Sequence, residues 1–168
     1  NRAIVTQASR GATANRIADQ LLSADMLLKD AESYARKGVG VMKQNIWMSE
    51  QREAYAKRKQ TMPSPEEFAK RFQQARAPRV ATLGQVERKL GHTAQARKLL
   101  EEAYAANPAS AAVAAALGEM AAKEGNDSKA LDYLTSARLT GNAPEAANRA
   151  FEAVYKKSHN GSIDGVEA

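Results

Sequence analysis

The chain is 168 residues long, contains no cysteine and carries a net charge of +6. That length suffices for one domain with a continuous, elongated core, while the lack of cysteine excludes disulfides and thiolate sites and leaves the compartment undecided between periplasmic or secreted and cytoplasmic. No apolar run approaches the thickness of a bilayer, and no signal-peptide pattern appears.

The charge is uneven: fourteen basic and eight acidic residues lie up to Arg76, and eleven of each lie beyond it. Abundant alanine, few aromatics and only five prolines point to an all-α chain. Because it opens on Asn1 and not on methionine, the chain reads as a processed or excised segment.

Residues 1–11 show little periodicity and are expected to fray or form a loose helix. From Ala12, the residues Ile17, Leu21, Leu22, then Met26, Leu27, Ala31, Tyr34 and Ala35 recur at helical spacing, which predicts two helices with a turn at Ser23–Asp25. Gly38 and Gly40 weaken the end of the second. Residues 1–45 thus form an N-terminal helix pair.

Residues 46–63 read as an inserted connecting segment. Ser49 is placed to cap a short helix running to about Gln60, which Met62-Pro63 breaks. Trp47 anchors this segment to the body, or stacks on a ligand. Arg52, Lys57, Arg58 and Lys59 crowd one short stretch beside it. They form either a solvated face with Glu53 paired to Lys57, or a nucleic-acid patch.

Ser64-Pro65-Glu66-Glu67 is a clear helix start: a serine cap, proline at the first helical position and glutamate three residues after the cap. Phe68, Phe72, Ala75, Leu83, Val86 and Leu90 keep one helical phase, so the helix is long. Pro78 lies inside it and predicts a kink or a break near Arg76.

The stretch from Ala77 to Asn142 is written twice. A shift of thirty-four residues lays Leu83-Gly84 on Leu117-Gly118, Gly91 on Gly125, Ala96 on Ala130, Leu100 on Leu134 and Ala103 on Ala137. Gly84 and Ala96 let two helices approach, Gly91 ends the first, Thr93 can cap the second and Pro108 stops it. Asn126 or Asp127 caps in the second copy. This period and pattern resemble the tetratricopeptide repeat (TPR), a helix-turn-helix unit. The sequence departs from the family at Val80 and Ala114, where tryptophan is usual, and at Glu87 and Ala121, where tyrosine is usual.

Residues 64–142 therefore read as two TPR units, the first helix extended, and Leu28–Glu32 resembles the start of a second repeat helix in an eroded earlier unit. Residues 143–168 read as a capping helix and tail, with Phe151 at the leucine position and Glu152 in place of the glycine. The turn-rich exit from Lys156 to Ser162 is similar to the junction with a thioredoxin-like domain in certain bacterial multidomain proteins. The resemblance implies a right-handed α-solenoid of antiparallel helix pairs.

Catalysis has little to work with. His92 and His159 sit in turns beside glycine or asparagine, with no carboxylate or nucleophile at a recognisable spacing, so both read as exposed turn residues. No phosphate loop, metal-ligand set or cofactor motif appears. In the family, the first helix of each unit lines a concave groove for a peptide or partner helix. The resemblance places Ala81, Gln85, Arg88, Ala115, Glu119, Ala122, Arg149 and Lys156 there, and Arg88, Arg149 and Lys156, with Lys123 beside them, give a partly cationic face suited to acidic segments or a C-terminal carboxylate. The expectation is a non-catalytic protein-binding or scaffold module within a larger bacterial protein. The alternatives are polyanion binding through the basic N-terminal half, and an intramolecular spacer for an adjacent redox domain.

Overall fold

A computed structural model describes residues 7–162 and 164. Among them the chain forms eight α-helices and no strand, in two compact units that divide between Ala106 and Asn107. The first unit holds α1 (Gln7–Ser23), α2 (Leu28–Gly40), α3 (Gln44–Lys57), α4 (Pro65–Lys89) and α5 (Thr93–Ala106). The second holds α6 (Ala111–Lys123), α7 (Asp127–Leu139) and α8 (Glu145–Ser158). The all-α repeat of helix pairs expected from the sequence is what the chain adopts. The fraying expected of residues 1–6 and the tail from 165 onward lie outside the described residues.

The α4–α5 and α6–α7 pairs are built alike. Gly91 and Gly125 take φ of 81° and 76°, a left-handed conformation that glycine adopts without a Cβ clash. The next N–H then returns to a carbonyl of the first helix, His92 to Glu87 at 2.9 Å and Asn126 to Ala121 at 3.0 Å. Each crossing is set by one glycine. A Cβ on Gly84 would lie 2.9 Å from Leu100 Cγ, and one on Gly118 would lie 2.5 Å from Leu134 Cγ, so leucine fills the space that glycine leaves. Leu100, Leu117 and Leu134 are fully buried. Each such side chain contributes roughly 1.5–3 kcal/mol through the apolar area it removes from water.

The helix starts follow local chemistry. Ser64 accepts the Glu67 N–H at 3.2 Å with Pro65 behind it, and Asn126, not Asp127, caps α7 by accepting from Lys129 N at 3.2 Å. Thr93 is instead the first residue of α5.

Three expectations need correction. α1 begins by Gln7, well before Ala12, because Gly11 is a packing residue: a Cβ there would meet Gly38 O at 3.0 Å and Arg79 Nε at 2.9 Å. α3 starts at Gln44 and ends at Lys57, so Ser49 lies inside it and caps nothing. Burial of Trp47 edge-on to Phe68 and Phe72, at centroid distances of 6.5 and 5.6 Å, recruits the earlier turn into the helix. Trp47 is thereby an anchor and not a ligand platform. Finally, of the kink or break expected at Pro78 the break does not occur, and α4 runs 25 residues. Phe68, Phe72, Ala77, Val80 and Leu83 are buried on both sides of the proline, and that packing outweighs one lost backbone bond. Arg79 Nη1 also donates to Ala75 O at 2.7 Å beside the gap.

In the second unit α8 packs on α7 and α6 through Ala147, Phe151 and Val154, with the Arg138 guanidinium 4.5 Å from the Phe151 ring centre. Glu152 is exposed.

Candidate partner-binding faces

α4 presents Gln85 and Arg88, one turn apart and both half-buried. Arg88 Nε donates to Gln85 Oε1 at 3.0 Å, so the guanidinium and the amide are held as one polar pair. In the second unit α6 presents a half-buried Glu119 and an exposed Lys123, and α8 presents exposed Arg149 and Lys156. Arg149 pairs with Glu145 one turn earlier, which offsets its charge. Next to Lys156, Lys157 Nζ lies 2.6 Å from Asp127 Oδ2. Lys123 and Lys156 are therefore the stronger cations of this unit's face. Ala81 is half-buried but Ala115 is buried, so Ala115 offers no accessible surface. Small residues pack closely, and packing has claimed this one.

The first unit also has an open depression of about 570 Å³ between α4 and the end of α5, lined by Lys70, Gln73, Gln74, Glu102, Ala105 and Ala106. Arg76 pairs with Glu102 at its edge. At the end of α3, Arg52, Lys57, Arg58 and Lys59 are all exposed, while Glu53 and Lys57 make no ion pair with each other.

His92 is an exposed turn residue, as read, but the expectation that no carboxylate partners it needs correction. Its Nδ1 lies 2.6 Å from Oε2 of Glu87, and Arg36 Nη2 of α2 lies 2.5 Å from the other oxygen. The Glu87 side chain is only 1% exposed. A buried carboxylate is tolerated when both oxygens have donors, and here each has one. Arg36 also gives Nε to Glu32 at 2.8 Å, and that bond raises its guanidinium above the ordinary value. The available signal was Glu87 itself, a charge in phase with the buried Val80 and Leu83. Elsewhere in the unit, burial pushes the Arg79 guanidinium below its ordinary value.

Among the described residues no three His, Asp or Glu side chains are grouped to hold a metal ion, and no helix is long and apolar enough to cross a membrane.

With this geometry in place, comparison with known proteins gives one finding. Residues 79–120 match the family model of the tetratricopeptide repeat. The match takes in most of the α4 repeat portion, all of α5 and most of α6, so the helix-turn-helix unit around Gly84 and Leu100 is a tetratricopeptide repeat. The α6–α7 pair repeats its plan through Gly118 and Leu134. No curated protein matches the chain.

Proposed function

We propose that the chain is a non-catalytic protein-binding module that takes acidic peptide segments, or a C-terminal carboxylate, on the faces of its repeat-opening helices. Repeats of this family generally mediate protein–protein interaction, and the match at residues 79–120 is the observation that carries the reading. On α4 the joined Arg88 and Gln85 offer a cation and an amide side by side, a combination suited to a carboxylate and the neighbouring peptide group. On α6 and α8 the exposed Lys123 and Lys156 supply further positive charge.

The test is selection of a random displayed-peptide library on the immobilised chain, with Arg88→Glu plus Lys123→Glu as the comparison. Enrichment of acidic or carboxylate-ended peptides that the double variant loses supports the reading. Peptides captured equally by both proteins would move the site elsewhere.

A second reading is favoured by the exposed Arg52, Lys57, Arg58 and Lys59 at the end of α3, which could follow a polyanion. Retention on nucleic acid that weakens with salt and falls when Lys57, Arg58 and Lys59 are neutralised would select it over the first.

A further inference from the structure

The α1–α2 hairpin is joined to α4 by different chemistry at its two ends. Where α2 passes into α3, Met42 and Trp47 are buried with Phe68 and Phe72 of α4 in one apolar cluster, with Tyr55 packed against it. Toward the other end the ties are polar. Thr82 Oγ1 lies 3.3 Å from Asp19 Oδ1, which competes for its proton with the Pro78 carbonyl at 3.1 Å, Asp25 Oδ1 lies 3.1 Å from Lys89 Nζ, and Arg36 reaches the buried Glu87.

Among the described side chains, the buried residues of α1 and α2 are Gly11, Ala14, Ala18, Ala31, Ala35 and Gly38. None carries more than a methyl group, and the larger apolar residues Ile17, Leu21, Leu22 and Leu28 are only partly buried, so the hairpin contributes no fully buried large side chain. The α4–α5 pair, in contrast, is closed by Leu83, Val86, Leu99 and Leu100. At the α1–α2 turn Met26 and Leu27 are 58% and 61% exposed, and the flanking Leu21, Leu22 and Leu28 are only partly buried, so that end is packed less completely than the aromatic end.

We propose that the α1–α2 hairpin is a hinged arm, pivoting at Val41–Lys43 beside the aromatic cluster and held shut by a polar latch made of Arg36, Glu87 and His92, with Asp25 and Lys89 beside it. Opening hydrates Thr82 and Glu87, the two buried polar residues of α4, and their hydration offsets much of the packing that the hairpin gives up. A comparable opening of α4 from α5 would expose leucines and gains no such return.

Native-state amide hydrogen exchange of the whole chain tests this. The expected result is that amides of α2 from Ala31 to Gly38 exchange through an opening that leaves α5 closed, with protection at least about tenfold below that of α5 from Ala96 to Ala103. Glu87→Gln, or Arg36→Gln if that variant folds poorly, lowers α2 protection by about tenfold more and leaves α5 unchanged. The double variant Arg36→Met plus Glu87→Met replaces the latch with apolar side chains of similar length and brings α2 up toward α5. One common protection level for α2 and α5 in the parent, falling together in the single variants, would overturn the proposal. So would a double variant no better protected at α2 than the singles.

Discussion

The α4–α5 and α6–α7 pairs share one plan and fill one position of it with opposite chemistry. At the place where α4 buries Glu87, α6 buries Ala121, and both residues are at most 1% exposed. In the first pair the carboxylate is supported by Arg36 from a neighbouring helix and by His92 from the turn. The turn of the second pair has Asn126 where the first has His92, and its side chain is already committed to capping α7. The close approach of the two helices is what the repeat requires, through Gly84 and Gly118. The occupant of the neighbouring buried position is decided by what else lies within reach.

The largest effect follows from forcing the chemistry of the first pair onto the second. Ala121→Glu puts a carboxylate at a position only 1% exposed, and unfolding in urea should show a loss of about 3–5 kcal/mol. A loss below about 1 kcal/mol would mean that α6 can hydrate or pair this site, and the contrast between the pairs would fail.

An intermediate effect separates the two glycines. Gly118→Ala would bring a methyl to 2.5 Å from Leu134 Cγ, 2.8 Å from its Cδ2 and 3.2 Å from its backbone nitrogen. Overpacking of that kind costs about 1–3 kcal/mol, against which the helix propensity of alanine returns up to about 1 kcal/mol. Gly84→Ala meets Leu100 less tightly, at 2.9 Å, so it should lie near neutral and always above Gly118→Ala in urea midpoint. The reverse order would contradict the packing described for the two crossings.

The smallest effect lies at the helix starts. Ser64 caps α4 with its side chain, whereas Ser110 precedes α6 without such a bond. Ser64→Ala should cost about 1 kcal/mol in thermal unfolding and Ser110→Ala a few tenths at most.

Much of the fold was legible because its signals are local. Gly84, Gly91, Ala96 and Leu100 recur as Gly118, Gly125, Ala130 and Leu134, and the close approach, the turn and the packing partner all follow from that spacing. Ser64-Pro65-Glu66-Glu67 announced α4 for the same reason. The start of α3 was misread because Ser49 has the chemistry of a cap, yet the burial of Trp47 decides where that helix begins. The Glu87 network was invisible because Arg36 lies 51 residues away along the chain, and because His92 reaches Glu87 only after the turn reverses direction. Among the candidate face residues, the bond between Gln85 and Arg88 and the pairing of Arg149 with Glu145 depend on rotamers that spacing leaves open. Ala115 looked like groove lining, and only packing showed it to be buried.

The most direct test of the binding role is amide chemical-shift mapping on the whole chain as an acidic peptide, taken from a displayed library, is added. Shifts concentrated at Gln85–Arg88 of α4 and at Glu119–Lys123 of α6, removed by Arg88→Glu plus Lys123→Glu, are the predicted result. Shifts confined to Arg52–Lys59 of α3, or shifts at α4 and α6 that persist in the double variant, would contradict it.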